Sequence, residues 1–206
     1  DWGLHNEPKK MPSALQAVIE RIESRDDIDT IILGYGICSR GTEGVRAGRV
    51  PIVIPRAHDC ITVLLGSKER YQEYFDSHRG VYWYSPGWIE SGRQPGRDRY
   101  EKVLEEYRQK YGPDNAQYLM EVEQTWMKEY QWATYVDWGL SESQDYKAFT
   151  RDCAAYLGWN CDELTGDPGL MQRFVDGLWN EEDFLVVPPG QRIAEDVTNR
   201  GIIKAQ

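Results

Sequence analysis

Blocks of apolar residues separated by polar turns run through the first third of the chain and predict helices and strands in turn. Apolar residues at i, i+3, i+4 and i+7 spacing indicate the buried face of a helix, namely Leu15, Val18, Ile19 and Ile22. Two apolar runs follow, at residues 30–35 and 50–54, and neither alternates with polar positions. Such runs are typical of parallel strands that are buried on both faces. The pattern therefore predicts a helix followed by two neighbouring parallel strands.

The remaining chain continues this alternation. Further strands are predicted at residues 81–84, near 133–140, near 159–164 and at 184–187. Further helices are predicted at residues 98–111, at 114–131, in a segment that ends at Leu157, and at 168–178. Residues 85–99 are rich in glycine, proline and other turn-forming residues, which favours a boundary between lobes there. The tail from Arg192 lacks clear periodicity and is predicted to form an arm.

The order of these elements predicts an α/β protein with a Rossmann-like three-layer parallel sheet. The tetrapeptide Asp-Trp-Gly-Leu occurs at residues 1–4 and again at 137–140, each time where a strand is expected to pass into a polar turn. This echo favours two similarly built lobes. We expect a first lobe at residues 1–90, a second lobe at 91–190 and a C-terminal arm at 191–206.

Charge and composition narrow the class of protein. The 206 residues carry a formal net charge of −10, which disfavours nucleic-acid binding because phosphate recognition needs clustered basic residues. No apolar run reaches the roughly 18 residues of a membrane span. The four cysteines lie in a chain longer than a typical disulfide scaffold, so reduced thiols and a cytoplasmic location are expected. Of these cysteines, Cys153 and Cys161 are predicted to lie in the core.

Candidate chemistry follows the first two strands directly. Cys38 comes soon after the first strand, and His58, Asp59 and Cys60 follow the second. Because ligands bind at the carboxyl ends of neighbouring parallel strands, these four side chains are expected to share one crevice. Asp59 or His58 is predicted to cap a helix that begins near Cys60. A cysteine at that position is expected to have a lowered pKa and to be a better thiolate.

Glycines and arginines surround the same turns. Gly34 and Gly36 allow close approach of a ligand to the backbone, although neither a G-x-G-x-x-G motif nor a Walker loop is present. Arg40 and Arg56 could hold a carboxylate or phosphate of a bound cofactor bidentately, together with Arg46 and Arg49. The alternative is that these arginines pair with Glu43 and other acidic residues at the surface.

Several stretches together resemble the DUF1638 domain family. They are Asp1–Asn6, Ile32–Cys38, Pro55–Cys60 with the following Leu-Leu-Gly-Ser, Ser85–Trp88 and Phe184–Gly190. The resemblance covers almost the whole chain and implies an α/β protein of bacterial or archaeal type. It also implies an association with anaerobic one-carbon metabolism and a corrinoid methyltransferase system as a partner. The family further suggests a strand before the Asp1 equivalent, sometimes with its own cysteine.

Three functions are consistent with these residues. The leading prediction is a metal site in which Cys38, His58 and Cys60 bind zinc, iron or an Fe–S cluster. The fourth ligand would be His5, Asp59, a cysteine from a segment before Asp1, or an exogenous molecule. Such a protein would be an accessory or an enzyme of one-carbon or corrinoid chemistry. The alternatives are a cysteine-dependent enzyme acting on a small carboxylate, and a non-catalytic protein that binds a small molecule. Structural packing of the two cysteines is the plain alternative to all three.

Overall fold

A computed structural model describes residues 9–38, 40–91, 94–196 and 202–206 and shows a mixed α/β protein. The chain divides into two compact units. Unit 1 comprises residues 1–71 and 167–206, and unit 2 comprises residues 72–166. The predicted division into residues 1–90, 91–190 and 191–206 differs from this arrangement, because the chain returns to unit 1 after completing unit 2.

Eight helices lie in the described part of the chain. They are α1 (Met11–Glu23), α2 (Cys60–Leu65), α3 (Lys68–Ser77), α4 (Pro86–Glu90), α5 (Arg97–Tyr111), α6 (Pro113–Glu123), α7 (Ser143–Leu157) and α8 (Gly169–Val175). A 3₁₀ helix, Gln124–Glu129, continues directly from α6. The strands are β1 (Ile31–Ile32), β2 (Ile52–Pro55), β3 (Val81–Tyr84), β4 (Trp132–Asp137), β5 (Asn160–Thr165), β6 (Phe184–Val187), β7 (Ile193–Glu195) and β8 (Ile203–Ala205).

The sheet of unit 1 has the order β1-β2-β6. Strands β1 and β2 are parallel, as predicted, with Ile31 opposite Ile52. Strand β6 lies at the predicted residues but runs antiparallel to β2, with Val53 opposite Val186. The sheet of unit 1 is therefore mixed, and the prediction of a parallel sheet does not hold for this unit. An apolar run predicts a buried strand but carries no information about its direction.

The main core of unit 1 forms between its sheet, α1 and the C-terminal strands. Met11, Leu15 and Ile19 of α1 are buried in the same cluster as Ile52 and Ile54 of β2. Burial of such a face is the main stabilisation of a helix of this length.

The C-terminal residues belong to unit 1 and do not form a separate arm. Strands β7 and β8 pair antiparallel, and Ile193 and Ile203 from them are almost completely buried in the core of that unit. The strands are too short for periodicity to reveal them, so the sequence pattern predicted an arm at residues 191–206.

Unit 2 is built on the parallel sheet β3-β4-β5, in which each strand follows its neighbour in sequence. Val81 lies opposite Trp132, and Trp132 lies opposite Asn160. Helix α7 packs against this sheet through Cys153 and Ala154, next to the buried side chains of Tyr84 and Tyr135. The mixed α/β class is confirmed. Among the described helices, none combines the length and the apolar character that a membrane span requires.

Candidate functional site

The two cysteine-bearing turns of unit 1 are joined through their backbones. Beyond the ends of β1 and β2, the N–H groups of Ile37 and Cys38 donate to the carbonyl oxygens of Ala57 and His58 at 2.9 and 3.0 Å. The two turns therefore run side by side. Cys38 lies in the first turn, and the second turn leads directly into Cys60 at the start of α2.

Gly36 allows this close approach. A Cβ atom at this position would lie 2.8 Å from Cα of Asp59, 2.9 Å from its backbone nitrogen and 3.0 Å from the carbonyl oxygen of Ala57. All three neighbours are backbone atoms, which cannot move aside as a flexible side chain can. Gly34 differs, since its Cβ would meet only a ring atom of Phe174 at an ordinary 3.6 Å. Gly36 serves the contact between the two turns.

Asp59 caps α2, as predicted. Its Oδ1 accepts hydrogen bonds from the N–H groups of Ile61 and Thr62 at 2.9 and 3.2 Å, and its backbone is extended, as an N-cap residue requires. Its Oδ2 accepts a hydrogen bond from the hydroxyl of Tyr71 at 3.3 Å. Desolvation nevertheless raises the pKa of the Asp59 carboxyl, because these hydrogen bonds offset the loss of water only in part.

Cys38 is held in a strained conformation within this arrangement. Its φ of +43° lies in the left-handed region, which costs a residue other than glycine about 1 kcal/mol or more. The residue is 9% exposed. Backbone N–H groups of Gly36 and Cys60 interact with its sulfur and favour the thiolate. A backbone conformation of this kind persists where the surrounding contacts fix it, and such residues cluster at functional sites.

Both thiols favour the protonated form. Desolvation, followed by the negative charge of Asp59, raises the pKa of Cys38 and raises the pKa of Cys60 to about 12. For Cys60 the neighbouring Cys38 also raises the pKa. Cys60 is exposed when the whole residue is considered, but the surrounding chain desolvates its thiol. The expected lowering of the pKa of Cys60 is therefore wrong, because desolvation and Asp59 outweigh the N–H groups at the helix start.

His58 does not join the two cysteines. Its ring stacks on Tyr71, with the ring centroids 5.8 Å apart and the planes at 29°. Among the residues that the structure describes, no three His, Cys, Asp or Glu side chains converge closely enough to hold a metal ion. The predicted trio of Cys38, His58 and Cys60 is thus reduced to the two thiols. His5, the predicted fourth ligand, lies outside the described residues.

The arginines around these turns bind other parts of the protein. Arg40, whose side chain is 63% exposed, pairs with Glu43 at 2.7 Å and lies 3.5 Å from Glu195. Arg56 donates to the backbone carbonyl oxygens of Glu181, Phe184 and Ile203. Both guanidinium groups have partners within the chain, so the structure does not support the prediction that Arg40 and Arg56 hold an anionic cofactor.

Arg46 and Arg49 act in the same structural way. Arg46 donates to the carbonyl oxygen of Gly190, and Arg49 donates to those of Glu23, Arg25 and Ile28. Arg40 therefore forms the surface ion pair that the alternative interpretation predicts. The other three arginines donate to backbone carbonyl oxygens instead.

Unit 2 places a partly exposed ion cluster towards the carboxyl end of its sheet, which the sequence pattern did not reveal. Lys147 Nζ lies 2.6 Å from Oδ2 of Asp137 and 2.5 Å from Oε1 of Glu163. Asp137 Oδ1 accepts hydrogen bonds from Ser143 Oγ and from the N–H of Gly139. Lys147 is the main cause that holds the pKa of Asp137 down at about 2. Asp137 and Gly139 belong to the second Asp-Trp-Gly-Leu stretch. The position of Lys147 on the helix that follows this stretch was the sequence feature that could have indicated the cluster.

The other two cysteines differ in burial. Cys153 is 4% exposed and packs in the core of unit 2, as predicted, whereas Cys161 on β5 is exposed. All four cysteines are free thiols. Cys38 and Cys60 thus differ from the other two cysteines because their turns are joined by backbone hydrogen bonds.

Comparisons with known proteins agree with the resemblance seen in the sequence. No curated protein matches the chain, and no solved structure does. The family model described as "Protein of unknown function (DUF1638)" matches residues 1–175, which is most of the chain. The chain therefore belongs to the DUF1638 family.

Proposed function

We propose that unit 1 binds a soft or borderline metal, either a zinc or iron ion or an Fe–S cluster, through the thiolates of Cys38 and Cys60. The observation that carries this proposal is the joining of the two cysteine-bearing turns by the Ile37–Ala57 and Cys38–His58 hydrogen bonds. Thiolate sulfur is the donor that zinc and iron–sulfur clusters favour.

The donor set fits part of a metal site. Two thiols supply half of a four-coordinate sphere, and His58 is occupied in its stack on Tyr71. The remaining positions would be filled from outside the described residues, where His5 is the candidate that the sequence offers, or by an exogenous ligand. Asp59 remains the helix cap in this proposal and acts on the thiols through its charge.

The pKa directions favour a bound cation over a free nucleophile. Both thiols have raised pKa values, so a thiolate at neutral pH needs a compensating positive charge. A metal ion would supply that charge and would displace the thiol protons on binding. A cysteine-dependent enzyme needs the opposite shift, namely a thiol whose pKa is lowered by its surroundings.

The wider role of the protein in this proposal comes from its family. We place it as an accessory or an enzyme of anaerobic one-carbon or corrinoid-linked metabolism in the cytoplasm, with a corrinoid methyltransferase system as the partner. A Rossmann-like three-layer arrangement is the parent architecture that we propose. It is supported by the parallel pair β1 and β2, whose carboxyl ends lead into the two cysteine turns.

Metal analysis and an absorption spectrum of anaerobically purified protein test the proposal. We expect near-stoichiometric zinc or iron in the wild type, and loss of most of that metal in Cys38→Ser and in Cys60→Ser. Cys161→Ser is the matched control, because this exposed cysteine lies in unit 2, and it should keep the metal. His58→Gln should also keep it, since that ring stacks on Tyr71.

Two outcomes would contradict the proposal. One is a folded wild type that stays free of metal after anaerobic purification and after incubation with Zn²⁺ or Fe²⁺. The other is a metal content that is unchanged when both Cys38 and Cys60 are replaced by serine. Circular dichroism of each variant separates loss of metal from loss of the fold.

A further inference from the structure

The connection from β3 to β4 contains more helices than two adjacent parallel strands require. Between β4 and β5, the single helix α7 makes the equivalent connection, and one helix is enough for such a crossover. Between β3 and β4, the described chain forms α4, α5, α6 and a 3₁₀ helix. Helices α5 and α6, which we call the α5–α6 hairpin, are therefore an addition to the sheet of unit 2. Binding residues are often carried by additional segments on a rigid scaffold.

The α5–α6 hairpin has a small core of its own. Leu104 of α5 is buried together with Ala116 and Met120 of α6, in a cluster separate from the core between the sheet and α7. The start of α5 is held in place by Tyr100, whose ring centroid lies 6.4 Å from that of Tyr156 on α7. A pair of helices with so few buried side chains gains little from apolar burial, and a third helix alongside them would add to it.

Helix α6 has a second apolar face, which points to solvent. Tyr118 is 65% exposed and Val122 is 54% exposed. The two residues are four positions apart and are therefore neighbours on the helix surface, on the side opposite Ala116 and Met120. In the 3₁₀ helix that continues α6, Trp126 is also exposed. Only the inner face of α6 is thus covered within the described part of the chain.

The solvent-facing side of α6 is acidic. Asp114 and Glu121 are exposed and lie four positions before and three positions after Tyr118, so both carboxylates flank its ring on the helix surface. Helix α6 contains no Lys or Arg. In the described part of the chain, the ion pairs of the hairpin are Arg99–Glu123 and Arg108–Glu105. The carboxylates of Asp114 and Glu121 therefore have no basic partner there.

We propose that this outward face of α6 binds a basic amphipathic helix of another protein. Apolar side chains of the partner pack on Tyr118 and Val122, and its Lys or Arg side chains pair with Asp114 and Glu121. The partner helix lies alongside α6 and completes a three-helix bundle with the hairpin. A second copy of this chain fits less well, because α6 against α6 would bring unpaired carboxylates together.

A pair of matched peptides tests the chemistry of the partner. The peptide LKKLLKLLKKLLKL forms a basic amphipathic helix, and LEELLELLEELLEL has the same apolar face with acidic flanks. We expect the basic peptide to bind the full chain with a dissociation constant of about 100 μM or lower, measured by fluorescence anisotropy of the labelled peptide. The acidic peptide should bind at least about tenfold more weakly, because its charges repel those of α6.

Substitution of the apolar pair tests the place of binding. The double variant Tyr118→Ser with Val122→Ser should bind the basic peptide about tenfold more weakly, because both apolar contacts are lost. Leu140→Ser is the control, since Leu140 is an exposed apolar residue in the turn after β4, and it should bind as the wild type does. All three side chains are exposed, so each variant should keep the circular dichroism spectrum of the wild type.

A charge reversal tests the acidic flank. Glu121→Lys should weaken binding of the basic peptide about fivefold and reduce the loss of affinity that added salt causes. Glu73→Lys changes the net charge of the protein equally, at an exposed position of α3, and should bind as the wild type does. The two variants therefore separate a local contact from general attraction to an acidic protein.

Three outcomes would overturn the proposal. They are unchanged peptide binding in the Tyr118–Val122 double variant, equal binding of the two peptides, and equal effects of Glu121→Lys and Glu73→Lys. A wild-type dimer in light scattering that the double variant abolishes would assign the face to a second copy and would also overturn it. The peptide comparison and the charge reversals decide the matter even where the double variant fails to fold. Metal content is measured separately, so failure of this proposal and failure of the metal proposal are distinguishable.

Discussion

The backbone N–H of Cys38 donates to the carbonyl oxygen of His58 at 3.0 Å, so a cysteine from the first turn is fixed by main-chain atoms of the second. The neighbouring hydrogen bond from Ile37 to Ala57 extends the same register. The relative position of the two turns is therefore set by the backbone and does not depend on the rotamer of a long side chain. The geometry of the two turns is therefore set before any ligand binds, which is what the proposed metal site requires.

The thiols of Cys38 and Cys60 are expected to be slow nucleophiles in metal-free protein. Their pKa values are raised, that of Cys60 to about 12, so the reactive thiolate is scarce at pH 8 and its fraction rises steadily at higher pH. Asp59→Asn should increase the alkylation rate of both thiols, because it removes a negative charge that raises both pKa values and keeps an oxygen for the helix cap. Iodoacetamide labelling followed by peptide mass spectrometry measures each cysteine separately.

Asp26→Asn is the control for this experiment, since Asp26 is exposed and contributes to neither thiol pKa. Rapid alkylation of wild-type Cys60 at pH 7 would show that the raised pKa is incorrect. It would then favour a cysteine-dependent enzyme over the metal site.

Gly36→Ala is expected to destabilise unit 1 by about 1–3 kcal/mol, because the new methyl group would overlap backbone atoms of Asp59 and Ala57. Urea denaturation monitored by circular dichroism measures this change. Gly87→Ala is the control: a Cβ there meets nothing within 4 Å, and Gly87 lies in α4. A helical glycine replaced by alanine should leave stability unchanged or raise it by about 0.5–1 kcal/mol.

Arg56→Lys is expected to lower the free energy of unfolding by about 1–3 kcal/mol. The guanidinium donates to three carbonyl oxygens from separate parts of unit 1, and a lysine ammonium cannot reproduce that planar arrangement. Arg40→Lys should change stability by less than about 0.5 kcal/mol, because Arg40 forms an exposed ion pair. Equal effects of the two substitutions would contradict the structural role of Arg56.

Asp137 is expected to make stability depend on pH under acid conditions. Its folded-state pKa of about 2 lies below the ordinary aspartate value, so its ionised form stabilises the fold. This stabilisation is complete above the unfolded pKa, near pH 4, and is lost as the pH falls towards 2. Asp137→Asn should flatten that part of the curve of unfolding free energy against pH.

The exposed Asp76→Asn serves as the control for Asp137→Asn, since the amide can still accept the hydrogen bond from Gln72. Its pH dependence between 2 and 5 should follow that of the wild type. A steep acid dependence that persists in Asp137→Asn would show that other carboxylates dominate.

Local features of the site could be predicted from sequence because they depend on neighbouring residues. The cap at Asp59 and the start of α2 at Cys60 follow from a short polar residue directly before an apolar helical segment. The strands at 81–84 and 184–187 were likewise placed correctly by their apolar runs. In each case, the residues that indicate the element lie within a few positions of that element.

Features that depend on distant contacts could not be predicted in this way. The partners of Arg56 lie at Glu181, Phe184 and Ile203, far along the chain. The side-chain direction of His58 is set by Tyr71, and the raised pKa of Cys60 is set by desolvation.

The division of unit 1 into two sequence segments has a consequence for folding. Strand β2 has all four residues buried, yet its partner β6 is synthesised only after the whole of unit 2. Until then, β2 has an unpaired edge with apolar side chains, which is a template for aggregation. The pairing of Val53 with Val186 is a long-range contact, and contacts of this kind slow folding. We therefore expect unit 2 to fold first and unit 1 to be completed by the last residues of the chain.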